Sequence, residues 1–375
     1  MIGLPNVLGS AWPVIHEDLR TSSANAGIVS MIVSGATIFA TFTCDKMLRK
    51  MGTGKLILIS LVAIAASLVG YSFSTHLIHL CLWSVPLGLG LGYIDASLNS
   101  VVALKYEAKH MSWLHAFWSV GASIGPVIMS FFLLRQSGWQ GGYRFMGLIF
   151  VAFIILFIAM SKLWRQVANL SPEISGESEK GLSLKQILSL SGVKQSLFLF
   201  FCFTTIESTV GLWSSSYLVI VRNLSEETAA LWVALYFGGI TVGRFAAGFL
   251  TTRLSHKQLI NLGSYLIGAG IVMLVLPIPT SFLMLALFLI GLGCAPIFPS
   301  LIHETPSNFG KHNAQSIIGV QMTVAYTGYM LMSPLFGFLA ELISYRMLPI
   351  YIGTFLILMM IMAKWLYQKT SANQT

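Results

Sequence analysis

The chain writes one long pattern of apolar segments twice. Runs of roughly twenty apolar residues, each enough to cross a ~30 Å hydrocarbon layer as a helix, recur from end to end of the 375 residues. Landmarks of the first half return in the second at an offset of about 205 residues. Gly88-Leu-Gly90-Leu-Gly92 is answered by Gly291-Leu-Gly293, Pro126 by Pro334, and the basic turn from Asp45 to Lys55 by Arg253 to Lys257. Internal repeats set around a midplane site are the design of alternating-access carriers.

Composition removes most other classes. The chain is 55% hydrophobic and 9% charged, against roughly 25% charged in soluble domains, so a soluble enzyme is excluded. The net charge of +9 is no nucleic-acid footprint, because the basic residues gather on neither one face nor one tail. They sort by loop instead. Seventeen Lys and Arg fall in loops assigned to the cytoplasm, and five (Arg20, Arg135, Arg144, Arg222 and Arg346) fall on the opposite side. That is the positive-inside rule, and it implies a cell-membrane protein with both termini cytoplasmic. Cys44, Cys81, Cys202 and Cys294 lie singly in or beside apolar runs, with no CxxC pair, and read as packing residues.

The expected fold is an all-α membrane protein of twelve transmembrane helices in two six-helix bundles, residues 1–165 and 193–375, joined by a cytoplasmic linker over 166–192. The spans are read as 1–16, 24–44, 55–74, 77–103, 111–134, 143–163, 195–220, 227–251, 257–277, 280–301, 313–339 and 346–367. Asn169–Lys180 is polar and breaks the apolar pattern, and Leu182–Leu190 has the character of a short surface helix along the membrane. The first span reads as truncated. Sixteen helical residues reach only about 24 Å, Pro5 and Pro13 interrupt them, and no basic segment precedes them as a signal peptide requires. A start upstream of Met1 is the expectation. Small residues at four-residue spacing, Gly88/Gly92, Gly121/Gly125 and Gly239/Gly243, let helix backbones approach in lipid. No βαβ unit surrounds the glycines near Gly90, which removes a dinucleotide-binding reading.

Two carboxylates fall deep inside spans, Asp95 in the fourth and Glu207 in the seventh. Placing a charge there costs at least ~2.5–3.5 kcal/mol, so such groups face a cavity, pair with a partner or carry a proton. Asn99, four residues from Asp95, shares its helix face. The alternative for both acids is a structural hydrogen bond to a neighbouring helix. His115 opens the fifth span and can relay a proton or bond a hydroxyl; its alternative is a satisfied core histidine. Trp118 lies on the same face. An aromatic plane beside amides and a carboxylate suits a sugar, with its apolar C–H face and its hydroxyls, whereas an interfacial role is the plain alternative for Trp118. Asn6, Trp213 and Gln321 complete the candidate cavity lining. Near the basic turns, Asp45, Arg49, Arg244 and Arg253 are candidate gating residues, because an arginine can bond helix-end carbonyls or a carboxylate on a neighbour.

With these residues in view, the chain resembles the major facilitator superfamily along nearly its whole length. Gly243-Arg244 through Gly248 to Arg253 is similar to that family's loop motif, which locks the cytoplasmic side in the outward-open state. Within the family it looks most like the fucose permease branch of proton-coupled sugar carriers. Gly92-Tyr-Ile-Asp95-Ala-Ser-Leu-Asn99 is similar to the branch's fourth-helix acid with its asparagine, and Leu114-His115-Ala-Phe-Trp118 to its polar start of helix five. Glu207, Gly243-Arg244 and Ala295-Pro296-Ile-Phe-Pro299 add to the likeness. The resemblance implies proton coupling at Asp95. It departs in the first helix, where the branch has an aspartate and Gly3–Ser10 holds no acid.

The expectation is therefore a monomeric carrier of a small polar solute, a sugar, coupled to protons by Asp95 with Glu207, working in a lipid bilayer with neither nucleic acid nor cofactor. The alternatives are a drug or lipid exporter of the same fold, and a transport-inactive sensor or scaffold. No metal or hydrolase signature is present, since His303-Glu304 lacks the partner histidine of HExxH, and the chain is read as no enzyme. Topology has a direct check. Single cysteines placed in Lys46–Lys55 and Asn169–Lys180 should stay unlabelled by an impermeant thiol reagent on intact cells, while cysteines between Arg135 and Arg144 should react. Labelling of Asn169–Lys180 from outside would overturn the helix count.

Overall fold

The computed structural model describes residues 3–105, 108–160, 184–251 and 253–371. The proposed linker Asn169–Lys180 lies outside the described residues. The chain forms α1 (Leu8–Asp18), α2 (Asn25–Met51), α3 (Thr53–Ser72), α4 (Leu77–Lys105), α5 (Ala108–Leu133) and α6 (Gly138–Ala159). After these come α7 (Leu184–Ser189), α8 (Val193–Arg222), α9 (Glu226–Leu250), α10 (His256–Val275), α11 (Phe282–Phe309), α12 (Lys311–Leu342) and α13 (Leu348–Ser371). Among the described residues every regular element is helical, as hydrocarbon demands of backbone N–H and C=O groups that have no water to bond.

Ten of these helices are long and apolar enough to cross a membrane. Of the other two expected spans, α12 is 32 residues long but less apolar, with Gln321, Thr323 and Thr327 along it. Helix α1 is shorter than the span read over residues 1–16. Gly3–Val7 forms turns, with Asn6 N–H donating to the Gly3 carbonyl at 3.0 Å and Val7 N–H to Pro5 at 2.8 Å, because Pro5 cannot donate the N–H a helix needs there. Elsewhere the helices outrun the apolar windows. Helix α11 continues from 301 to Phe309 through His303, Glu304 and Pro306, since a polar sequence ends a hydropathy window without ending a helix. Chain reversals need little loop. Gly52 (φ 76°) joins α2 to α3 and Gly310 (φ 86°) joins α11 to α12, in backbone conformations that side chains disfavour.

The chain divides into two compact units, residues 1–177 with 225–231, and 178–224 with 232–375. In the first, α4 packs on α2 and α3, α3 on α6, and α5 on α6 and α1. In the second, α11 packs on α10, and α8 on α12 and α13. Glycine sets the tightest crossings. A methyl at Gly92 would stand 2.6 Å from the Thr37 carbonyl, and one at Gly90 would stand 2.8 Å from that of Ser60. Gly88 meets Val33 and Ala36 of α2. The second unit repeats the arrangement: Gly291 meets the backbone of Tyr236 on α9, and Gly293 meets Gly263 and Ile267 on α10. Outward faces are apolar, with Phe249 79% and Leu342 82% exposed, as lipid-facing surfaces are. The short helix α7 does form, and its Ile187 is buried with Val193, Leu197 and Ile317, so it is docked on the second unit.

The crossing of α9 with α11 makes a paired test. A methyl on Gly239 would run into the backbone of Phe288 and Leu292, while Gly238 beside it has nothing within 4 Å. Gly239→Ala should lower detergent-solubilised thermal stability by about 1–3 kcal/mol. Gly238→Ala should be neutral or stabilising by up to ~1 kcal/mol, through helix propensity. Equal effects at the two positions would mean that close backbone approach does not hold this crossing.

Candidate functional site

Helix α4 has two polar faces. Tyr93 and Ser97 turn to α2, where Tyr93 Oη and Thr43 Oγ1 lie 2.8 Å apart and Ser97 Oγ lies 3.6 Å from Cys44 Sγ. Asp95 is two residues from each, about 200° around the helix at 3.6 residues per turn, and so points away from that contact. Its half-buried carboxyl hydrogen-bonds the Asn99 side chain one turn on. Among the described residues, Asn99 Oδ1 is buried without a hydrogen-bond partner. The amide N–H therefore serves the acid, and the amide oxygen remains an acceptor for a hydroxyl.

On α5, His115 is exposed and Trp118 half-buried. The turn Gly3–Val7 lies against this helix, with Gly3 at the Trp118 carbonyl and Ala122, and Leu4 and Val7 at Gly125. Asn6, exposed on that turn, is thereby brought to the Trp118 stretch of α5. These residues are over a hundred positions apart in sequence, and Gly3 of the turn and Gly125 of α5 are what let them meet.

In the second unit Glu207 is the centre of a network. Tyr329 Oη of α12 donates to Glu207 Oε2, and Tyr236 Oη of α9 donates to the Glu207 carbonyl at 3.1 Å. The Arg244 charge acts on Glu207, Tyr329 and Cys294 together, and Tyr236 and Cys294 are hydrogen-bonded to each other. Four helices, α8, α9, α11 and α12, thus meet at one acid. Arg244, read as a gating residue from the basic turn, belongs to this network. Tyr236 and Tyr329 escaped the sequence reading, and Cys294, read there as a packing residue, is hydrogen-bonded to Tyr236; the signal available was a tyrosine inside an apolar span, whose hydroxyl must find a partner when buried.

The remaining candidates stand elsewhere. Trp213 is fully enclosed, its Nε1–H donating to the Ser333 carbonyl at 2.8 Å and its ring centroid 6.0 Å from those of Phe336 and Tyr345. Gln321 is equally buried, with Nε2 donating to Ser196 Oγ at 2.8 Å and Oε1 accepting from Thr305 Oγ1 at 3.1 Å. Arg49 lies exposed in the last turn of α2, and Arg253 exposed in the turn before α10. The Asp45 side chain lies outside the described residues. Among the described residues no three His, Cys, Asp or Glu side chains gather as a metal site would require.

A duplicated array of membrane helices with acids inside its spans is the build of a secondary carrier. The sequence profile of the Major Facilitator Superfamily matches residues 5–328 and, in a second alignment, 223–375. The chain belongs to that superfamily and is a membrane transporter, not an enzyme. It is similar to the glucose/mannose transporter of Bacillus subtilis, 22% identical over 302 residues, which covers 78% of this chain and 73% of that one. It is also similar to the glucose/galactose transporter of Brucella abortus, 21% identical over 324 residues, covering 81% and 76%. The cis,cis-muconate transport protein of Acinetobacter baylyi is 22% identical over 259 residues, covering 65% and 61%.

The Glu207 network predicts a measurable coupling. Glu207→Ala removes the carboxylate on which the Arg244 charge acts and which accepts from Tyr329, and should cost on the order of 3 kcal/mol of thermal stability. Adding Arg244→Met should recover much of that loss, read as a non-additive double-mutant cycle. Additive losses would show that the two charges do not depend on each other.

Proposed function

We propose that the protein carries a small neutral polyol, a sugar, by proton-coupled alternating access, the halves 1–165 and 193–375 rocking about a midplane cavity. The observation that carries this reading is the Asp95–Asn99 pair. It joins a membrane-embedded acid, hydrogen-bonded to a neutral amide, to an unsatisfied carbonyl oxygen one turn away. Asp95 takes and releases the proton, and Asn99 Oδ1 accepts a solute hydroxyl in the same step. Proton and solute binding are then linked, because protonation removes the charge that otherwise holds the Asn99 amide. Asn6, His115 and Trp118 supply further hydroxyl contacts and a stacking plane. Trp213 and Gln321, whose polar groups are held by neighbouring helices, fix those helices rather than touch solute.

The names of the sugar-transporting relatives support the same class of solute. An organic dianion, as the muconate carrier's name describes for that protein, would require surplus positive charge. Arg244, a cation within the second unit, already acts on Glu207, which favours a neutral solute. Glu207 stands as the second candidate for coupling, with Tyr329 as its hydroxyl partner. Asp45, Arg49 and Arg253 would gate the cytoplasmic side.

Asp95→Asn imitates the protonated acid in shape and charge. In cells or proteoliposomes supplied with labelled hexoses, the variant should lose accumulation against a gradient and keep solute exchange largely intact. A purely structural Asp95 would instead lose expression and exchange together. Wild-type accumulation by the variant, unaffected by dissipating the proton gradient, would remove Asp95 from coupling and leave Glu207→Gln as the next variant to assay.

A further inference from the structure

A cavity of about 590 Å³ opens between α10 and α13, lined by Lys257, Asn261, Met360, Ile361, Lys364 and Tyr367. Its size falls in the range of ordinary ligand sites, roughly 300–1,000 Å³. The lining is graded. Lys257 is the second residue of α10, and Lys364 lies about two turns before the end of α13, so both lysines stand toward the same end of these two spans. Met360 and Ile361, one turn deeper, are 37% and 39% exposed and present apolar surface on the lipid side. Polar and basic groups above, with apolar groups below, match an amphiphile whose headgroup is anionic.

The pocket is held in shape from behind. Tyr367 Oη donates to Glu304 Oε2 at 2.9 Å, which fixes the ring, and Lys257 Nζ sits 4.8 Å from the centroid of that ring. Glu304 also interacts with Lys257 through charge. It offsets one lysine in part and leaves Lys364 uncompensated by it. Ser255 closes the start of α10 with a capping box to Gln258, so Lys257 projects from an ordered first turn rather than a frayed end.

We propose that this groove is a binding site for one anionic glycerophospholipid. Its phosphate lies between Lys257 and Lys364, Asn261 donates its amide N–H to a headgroup oxygen, and the acyl chains run along Met360 and Ile361. Basic pockets between membrane helices hold anionic headgroups in this way. A zwitterionic lipid presents the same phosphate with a compensating cation and gains little from two lysines. The proposal does not depend on the sugar or proton reading.

Purified protein is offered an equimolar mixture of phosphatidylglycerol and phosphatidylcholine in detergent and examined by native mass spectrometry. The wild type should retain one phosphatidylglycerol with a preference of roughly 25-fold, at about fivefold per lysine. Lys257→Gln/Lys364→Gln should bring the preference near parity, and the Lys257→Arg/Lys364→Arg variant should keep it. Glu304→Gln, which retains an acceptor for Tyr367 and removes the opposing charge, should raise it. The melting temperature of every variant is measured in phosphatidylcholine, so that a loss of fold is read apart from a loss of headgroup preference. Unchanged preference in the double glutamine variant overturns the site. Displacement of the lipid by millimolar inorganic phosphate overturns the lipid as occupant and leaves a free-anion site.

Discussion

Water is absent from the bilayer interior, so the chain must satisfy its backbone within helices and gains little by hiding one apolar helix behind another. What holds helices together there is contact area at short range, and that requires positions without side chains. The glycines of α4 and α11 provide them. Gly88 and Gly291 each face the helix two before their own, α2 and α9, while Gly90 and Gly293 each face the helix immediately before, α3 and α10. Two glycines spaced by two residues sit on nearly opposite sides of a helix. One helix in each half is thereby pressed between two neighbours.

Such packing decides where chemistry can reside. With Gly88 and Gly92 against α2, and Tyr93 and Ser97 bonded to the same neighbour, α4 has one face committed to structure. Asp95 and Asn99 occupy another. The two halves compensate their acids differently. Asp95 has a neutral amide, and Glu207 has a hydroxyl together with the Arg244 charge. A carboxylate beside a cation gives up less on staying ionised than one beside an amide. That difference ranks Asp95 above Glu207 as the residue to exchange a proton in the proposed cycle, and casts Glu207 with Arg244 as a pair whose rearrangement accompanies movement of α8, α9, α11 and α12.

The helical class and the glycine contacts were legible because their signals are local: apolar length, small residues at fixed spacing, and the repeat itself. The Asp95–Asn99 pair was legible for the same reason, four residues on one helix. Glu207 was visible as an acid in an apolar span, but its partner Tyr329 lies 122 residues away, and nothing in spacing links them. Gln321 illustrates the converse. A polar side chain in an apolar span signals only that a partner exists, and here the partners are Ser196 and Thr305 on two other helices. Trp213 likewise was read by its chemistry, while its ring and its Nε1–H are both taken up by packing. The turn at Gly3–Val7 was misjudged as helix because apolar character outweighed the missing Pro5 donor.

The repeat extends to the scaffold and stops at the acid. Asp95 lies seven residues past Gly88, and seven past Gly291 is Phe298, whose ring packs at 5.7 Å from Phe200 and 6.3 Å from Phe203 of α8. Asn99, four further on, has Ile302 as its counterpart. The glycines recur because each half must solve the same packing problem in the same solvent. The acid does not recur, because a second ionisable group at the equivalent depth would add its own desolvation cost. Under the proposed cycle it would also have to be neutralised at each turnover, coupling a second proton to the same solute. Two matched frames thus carry different chemistry at the equivalent positions, an acid at Asp95 and a packed ring at Phe298.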